Sequence, residues 1–221
     1  PGLIALDKNT GKLLGEEISG VSERVLHASW SSPAVGKAKG EDVLVWGGGD
    51  GFAYGFDPVP VMDEDEGIPI LKERWRYDGN PVHFRQKPDG TPIKYATFKG
   101  PNDIIGTTVI HEGLVYFAIG QDPEHGDGVG MLSCVDASAT GDLSGKAVWT
   151  YEYGDGSGIG RSISTPSITD DGLVICAEYD GDIHCVDAKT GEQYWVHETG
   201  SRVWSSTMVA DGKVYLGTED G

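Results

Sequence analysis

The chain has 221 residues, of which 34 are Gly, six Trp and nine Tyr, and its formal net charge is −18. That length can enclose one large domain core, and the negative field excludes nucleic-acid backbones and anionic membrane faces as partners. No apolar run reaches membrane-spanning length, no window keeps a helical apolar period, and aromatic and β-branched runs punctuated by Gly predict many short strands.

The first element, Leu3-Ile-Ala-Leu-Asp7, runs into Lys8-Asn9-Thr10-Gly11 and reads as a strand closed by a tight turn. Next comes Trp30-Ser-Ser-Pro-Ala-Val35, a small-hydroxyl segment followed by apolar residues, here called strand A. Strand B is Asp42-Val-Leu-Val-Trp-Gly47, strand C ends at Phe56-Asp57, and strand D carries Trp75. The acidic run 63–66 falls between C and D and reads as a solvated loop. The same order then recurs. Strand A returns at Ile105–Ile110, Ile163–Ile168 and Trp204–Val209; strand B at Gly113–Ala118, Gly172–Ala177 and Gly212–Gly217. Strand C returns at Val135-Asp136 and Val186-Asp187, and strand D at Trp149 and Trp195.

Repeat starts at 30, 105, 163 and 204 are 75, 58 and 41 residues apart. The last spacing suits a four-stranded unit of roughly 40–50 residues, and the longer two are such units with insertions. The first segment matches Asp187-Ala-Lys-Thr190-Gly191, so the chain opens on a C–D half-unit and closes on an A–B half-unit. Asp180-Gly181 supplies the positive φ of a B–C hairpin, and Thr-Gly after Asp closes the C–D turn. A strand-D Trp is large enough to fill the gap between wedge-shaped sheets, and its indole N–H needs a carbonyl.

The sequence apolar-Asp-x-x-Thr-Gly, Trp, Ser-x-Pro, Asp-Gly-x-Val-Tyr-x-Gly, clearest from Val186 to Gly217, resembles the PQQ-like (pyrroloquinoline-quinone-type) β-propeller repeat. The 120–126 and 75–81 stretches resemble a BamB-like subgroup of planctomycete-type bacteria. Gly15 departs from the pattern where Trp195 predicts a Trp. The resemblance implies an all-β propeller of four-stranded antiparallel blades forming a single region over 1–221. Half-blade 1–20 precedes blades at about 28–79, 103–154 and 161–200, and half-blade 201–221 follows. Such an arc implies a seven- or eight-bladed parent, or a homodimer in which two copies complete one propeller. The resemblance also implies an extracytoplasmic place in the cell envelope.

Two functions accompany this family. A BamB-like reading implies a non-enzymatic scaffold binding a protein or polymer partner, with no cofactor. The alternative is a quinoprotein-type oxidoreductase with PQQ and calcium, its ligands partly outside this chain. The sequence has neither a vicinal Cys pair nor an assignable calcium set, so the scaffold is the preferred expectation and PQQ is not expected. A carbohydrate- or metal-binding module is a third reading.

Strands that alternate in direction put the D–A and B–C loops on one face. The 80–102 loop (His83, Arg85, Lys87, Lys94, Tyr95), the 121–128 loop, Arg161, Arg202 and Trp204 are therefore the expected binding face. Asp122, Glu124, His125 and Asp127 are hard-ligand types suited to Ca2+; the competing reading is a turn held by its own Asx-type hydrogen bonds. If Tyr179 pairs with Asp182, Cys176 faces Cys185, either as a cross-strand disulfide or as two packed thiols, and bond strain favours the thiols. No nucleophile elbow or phosphate-binding loop is present.

Overall fold

The computed structural model describes residues 1–94, 97, 100–125, 128–154 and 157–221. In chain order the elements begin with β1 (Ile4–Leu6), β2 (Leu13–Glu16) and the single-turn helix α1 (Val21–Arg24). The first blade is β3 (Ala34–Ala38), β4 (Glu41–Gly47), β5 (Phe52–Phe56) and, after the hairpin β6 (Val61–Met62) and β7 (Pro69–Ile70), β8 (Glu73–Asp78). Helix α2 (Val82–Arg85) leads to the second blade: β9 (Val109–His111), β10 (Leu114–Ile119), β11 (Met131–Asp136), the short β12 (Gly141–Asp142) and β13 (Trp149–Glu152). The third blade is β14 (Ser167–Ile168), β15 (Leu173–Ala177), β16 (Asp182–Asp187) and β17 (Gln193–Glu198), and β18 (Met208–Ala210) pairs with β19 (Lys213–Tyr215). Each blade is an antiparallel meander in sequence order, and the fold is a β-propeller of four-stranded blades. No helix among the described residues is long and apolar enough to cross a membrane.

Strands B and C of the inner blades read as continuous apolar runs because both of their faces are covered. Alternate side chains of β10 serve two cores. Val115, Phe117 and Ile119 pack with Val43, Val45, Trp75 and Tyr77 of the first blade, while Tyr116 and Ala118 pack with Val174, Cys176 and Val186 of the third. Each gap between neighbouring sheets is thus a core of its own.

The strand-D tryptophans close these gaps. Trp75 is fully buried and donates its Nε1–H to the Ala137 carbonyl of the next blade at 3.1 Å. Trp149 repeats this with the Ala188 carbonyl at 2.9 Å. Both carbonyls follow the strand-C Asp, so the Asp turn fixes the acceptor. In the third blade, Asp187 Oδ1 accepts the backbone N–H groups of Lys189 and Thr190, both at 2.8 Å. These bonds and the Tyr194 hydroxyl, the largest contributor, hold its carboxyl down to about 2. Gly191, at φ 73°, lies flat under the Trp149 indole, where a Cβ would come within 2.7 Å of the ring.

The long C–D excursions have a second role. β7 runs parallel to β2 (Glu16 opposite Ile70) and β12 runs parallel to β8 (Gly141 opposite Trp75). Each blade's excursion therefore covers the outer strand of the preceding unit, which removes an exposed edge. The acidic run 63–66 is the tip of the β6–β7 hairpin, where Asp63 Oδ1 accepts the N–H groups of Asp65 and Glu66. β17 lacks such a cover among the described residues, and Trp195 is 39% exposed.

The cysteine register corrects the sequence-based expectation. Glu178 N–H bonds the Asp182 carbonyl, so three residues form the β15–β16 turn rather than two. Cys176 consequently pairs with His184, and Cys185 with Ile175. A slip of one residue turns a side chain to the other face, which places Cys176 and Cys185 in different cores. All three cysteines are free thiols.

Trp75→Phe removes the Ala137 hydrogen bond and leaves a void, and should cost about 2–3 kcal/mol in urea unfolding. Trp195→Phe, with no such bond, should stay within about 0.5 kcal/mol.

Candidate functional site

The four residues that open the strand-A segments are equivalent by repeat and converge at one point of the D–A/B–C face. Trp30, Ile105, Ile163 and Trp204 line a cup of about 300 Å3, together with Asp122, Pro123 and Glu124 from the B–C loop of the second blade. Trp30 and Trp204 are 52% and 55% exposed. Each has a second ring beside it: Trp30 stacks on His27 at 6.4 Å, and Trp204 meets Tyr179 edge-on at 5.1 Å. The 3-10 turn Pro123–His125 sets the acidic lip. Asp122 Oδ1 accepts the Glu124 N–H at 2.8 Å, and its Oδ2 lies 3.8 Å from His27 Nε2. The cup thus has an aliphatic floor, aromatic sides and a carboxylate lip.

The residues expected to form the binding face fall into two groups. Arg161, Arg202 and Trp204 gather around Tyr179. The Arg161 guanidinium lies 4.3 Å from that ring's centroid and that of Arg202 5.6 Å. Arg161 is buried, 1% exposed, whereas Arg202 is exposed. Tyr179 has no counterpart in the repeat pattern; its signal in the sequence is its place beside the Asp180-Gly181 turn. The 80–102 loop forms the second group. Arg85 forks onto the Asp78 carboxylate at 2.6 and 2.9 Å, donates to the Asp50 carbonyl at 2.8 Å and covers the Phe52 ring. His83 Nε2 lies 2.6 Å from Glu152 Oε1, and Lys87 and Lys94 are exposed on the loop. Tyr95, Asp127 and the His125 side chain lie outside the described residues. Of the four calcium-type residues, Asp122 and Glu124 are described, and the Asp122–Glu124 bond is an Asx turn.

A buried polar layer supports the face between the first two blades. Asn80 Nδ2–H donates to the Asn102 carbonyl at 2.8 Å, and Asn80 Oδ1 accepts the Asn102 N–H at 2.7 Å. Asp50 takes the Tyr54 hydroxyl at 2.6 Å and Arg24 Nε at 3.2 Å. Asp103 sits in this layer, 1% exposed, with neither carboxylate oxygen hydrogen-bonded. Burial, then the nearby Asp50 charge, pushes its carboxyl up to about 7.

A carboxyl raised on folding contributes stability that is present below its unfolded pKa, near 3.8, and is lost as pH rises towards 7. Asp103→Asn should therefore stabilise the protein at pH 8 by on the order of 1–4 kcal/mol and change it far less at pH 4. Urea midpoints at the two pH values measure the difference.

The acidic lip does not suit PQQ itself, a tricarboxylate, because no Lys or Arg lines the cup among the described residues. Residues 129–221 match the family model described as outer membrane protein assembly factor BamB. No curated protein matches the sequence. Among solved structures, BamB from Moraxella catarrhalis aligns at 16% identity and TM-score 0.49, over 88% of this chain and 46% of its own. The computationally designed Ika4 protein aligns at 16% identity and TM-score 0.50, over 89% and 91% of the two chains. Quinohemoprotein alcohol dehydrogenase from Comamonas testosteroni aligns at 19% identity and TM-score 0.49, over 96% and 37%. The chain spans about half the length of the Moraxella protein. At 16% identity the likeness to Ika4 concerns the fold alone.

Proposed function

We propose that this chain is a non-enzymatic binding scaffold of the bacterial cell envelope. Its D–A/B–C face takes a protein segment that presents a basic side chain among apolar ones. The observation that carries this reading is the cup: Trp30, Ile105, Ile163 and Trp204 are supplied by four successive repeat units, with Asp122 and Glu124 at the lip. Exposed indoles beside carboxylates attract a Lys or Arg head through ring quadrupole and charge together, and the aliphatic floor takes the methylene stem or a neighbouring Leu. The net charge of −18 steers such a segment towards the face. Exposed aromatic anchors already packed beside a second ring order little on binding, which favours affinity. The envelope assignment is supported by the outer-membrane-assembly description of the matched model.

The cup predicts its own probe. A synthetic Lys/Leu peptide should change tryptophan fluorescence saturably and lose affinity as salt rises, while a Glu/Leu peptide should not bind. Trp30→Ala and Trp204→Ala should each weaken binding by about 30-fold, the scale of an aromatic anchor. Equal binding of the acidic peptide, or unchanged affinity in both variants, would overturn the reading.

A further inference from the structure

A second cluster lies apart from the cup, where the β15–β16 hairpin meets the preceding blade. Glu178 closes β15, and Asp182 and His184 sit two residues apart on β16, hence on the same face. One ligand-type atom from each falls within 4.8 Å of the other two.

The hydrogen bonds around His184 decide what its ring can do. The Tyr151 hydroxyl donates to Gln193 Oε1 at 2.5 Å, so its oxygen is left to accept. His184 Nδ1 lies 3.1 Å from that oxygen and is the donor to it. The proton of a neutral imidazole is then on Nδ1, and Nε2 carries a lone pair. This Nε2 is buried without a hydrogen-bond partner, in a residue 4% exposed, and lies 3.4 Å from Glu178 Oε2. A nitrogen lone pair facing a carboxylate in a buried pocket is repulsive unless a proton or a metal ion stands between them. The Glu178 carboxylate is itself oriented by the Gly160 N–H. Asp182 brings a second carboxylate to the same cluster.

We propose that Glu178, Asp182 and His184 form a binding site for one divalent transition-metal ion, with Tyr151 and Gln193 orienting the histidine from behind. One imidazole nitrogen and two carboxylates form a donor set that Zn2+ accepts, leaving a fourth position open. An ion with bonds of about 2.0–2.2 Å needs ligand atoms roughly 3.3 Å apart. The His184–Glu178 pair already has that spacing, and Asp182, on the partly exposed start of β16, closes the remainder by a side-chain rotation. The backing hydroxyl on Nδ1 is the outer-shell arrangement that fixes a ligand's tautomer and ring angle. The ion would tie the hairpin to the second blade through Tyr151. This site is independent of the cup, and either reading can fail without the other.

The test uses the untagged chain, stripped of metal and titrated with Zn2+ by calorimetry. One ion per chain is expected, together with a rise of several degrees in the thermal midpoint that Ca2+ at the same concentration does not produce. Asp182→Asn and Glu178→Gln should each lower Zn2+ affinity by about tenfold or more. Tyr151→Phe should also lower it by about tenfold, as loss of an outer-shell partner does. His184→Ala removes a buried ring and risks the fold, so the two carboxylate variants carry the test if it unfolds. Folded wild-type protein with no saturable Zn2+ binding would overturn the proposal. So would wild-type Zn2+ affinity retained in both Asp182→Asn and Glu178→Gln, or nitrogen-15 NMR showing both His184 ring nitrogens protonated at neutral pH with Zn2+ present.

Discussion

The hydrogen bond from a strand-D indole to the carbonyl after the next blade's strand-C Asp is the link on which this arc depends. Flat sheets that fan out around an axis leave wedge-shaped gaps, and a gap must be filled without stranding a polar group. Trp meets both demands at once, because its rings fill the wedge and its single N–H finds a backbone acceptor. The acceptor is itself held in place by the Asp-centred turn, whose carboxylate ties down two backbone N–H groups. The Trp of one blade and the Asp turn of the next therefore form one device, present at Trp75 with Ala137 and again at Trp149 with Ala188.

The function proposed for the D–A/B–C face follows from that device. Once successive blades are locked in register, the residues that open each strand-A segment are carried to equivalent positions on one face. Residues up to 174 positions apart in sequence, Trp30 and Trp204, then line one cup. All four lie in the segments that lead into β3, β9, β14 and β18, and the second blade's B–C loop supplies the carboxylate lip.

The blades were legible in the sequence because their signals are local. Apolar-Asp-x-x-Thr-Gly is a turn with its own hydrogen bonds, and the Trp of the strand that follows has only one gap to fill. What escaped the sequence depends on longer-range geometry or on a single residue of register. Whether Tyr179-Asp180-Gly181 closes as a two- or three-residue turn cannot be read from Asp-Gly alone, yet it decides that Cys176 and Cys185 look into different cores. The 61–70 and 141–142 excursions looked like loops because their pairing partners, β2 and β8, belong to the preceding unit. Among the basic residues, a count of charges could not separate Lys87, exposed, from Arg85, whose guanidinium is consumed by Asp78 and Asp50. Arg161, beneath Tyr179, is likewise packing, and its burial comes from the hairpin it lies against. No local spacing in the sequence singles out His184, because Tyr151 and Gln193, which orient it, come from neighbouring strands.

The inter-blade link can be tested most directly by hydrogen exchange of the six indole protons, followed one by one by NMR. The account expects Trp75 and Trp149 to be protected by their links to Ala137 and Ala188, and Trp46 by its bond to the Ser31 carbonyl. Trp30, Trp195 and Trp204, all exposed, should exchange at near-solvent rates. Fast exchange at Trp75 and Trp149, at rates like that of Trp195, would contradict the claim that these hydrogen bonds hold one blade to the next.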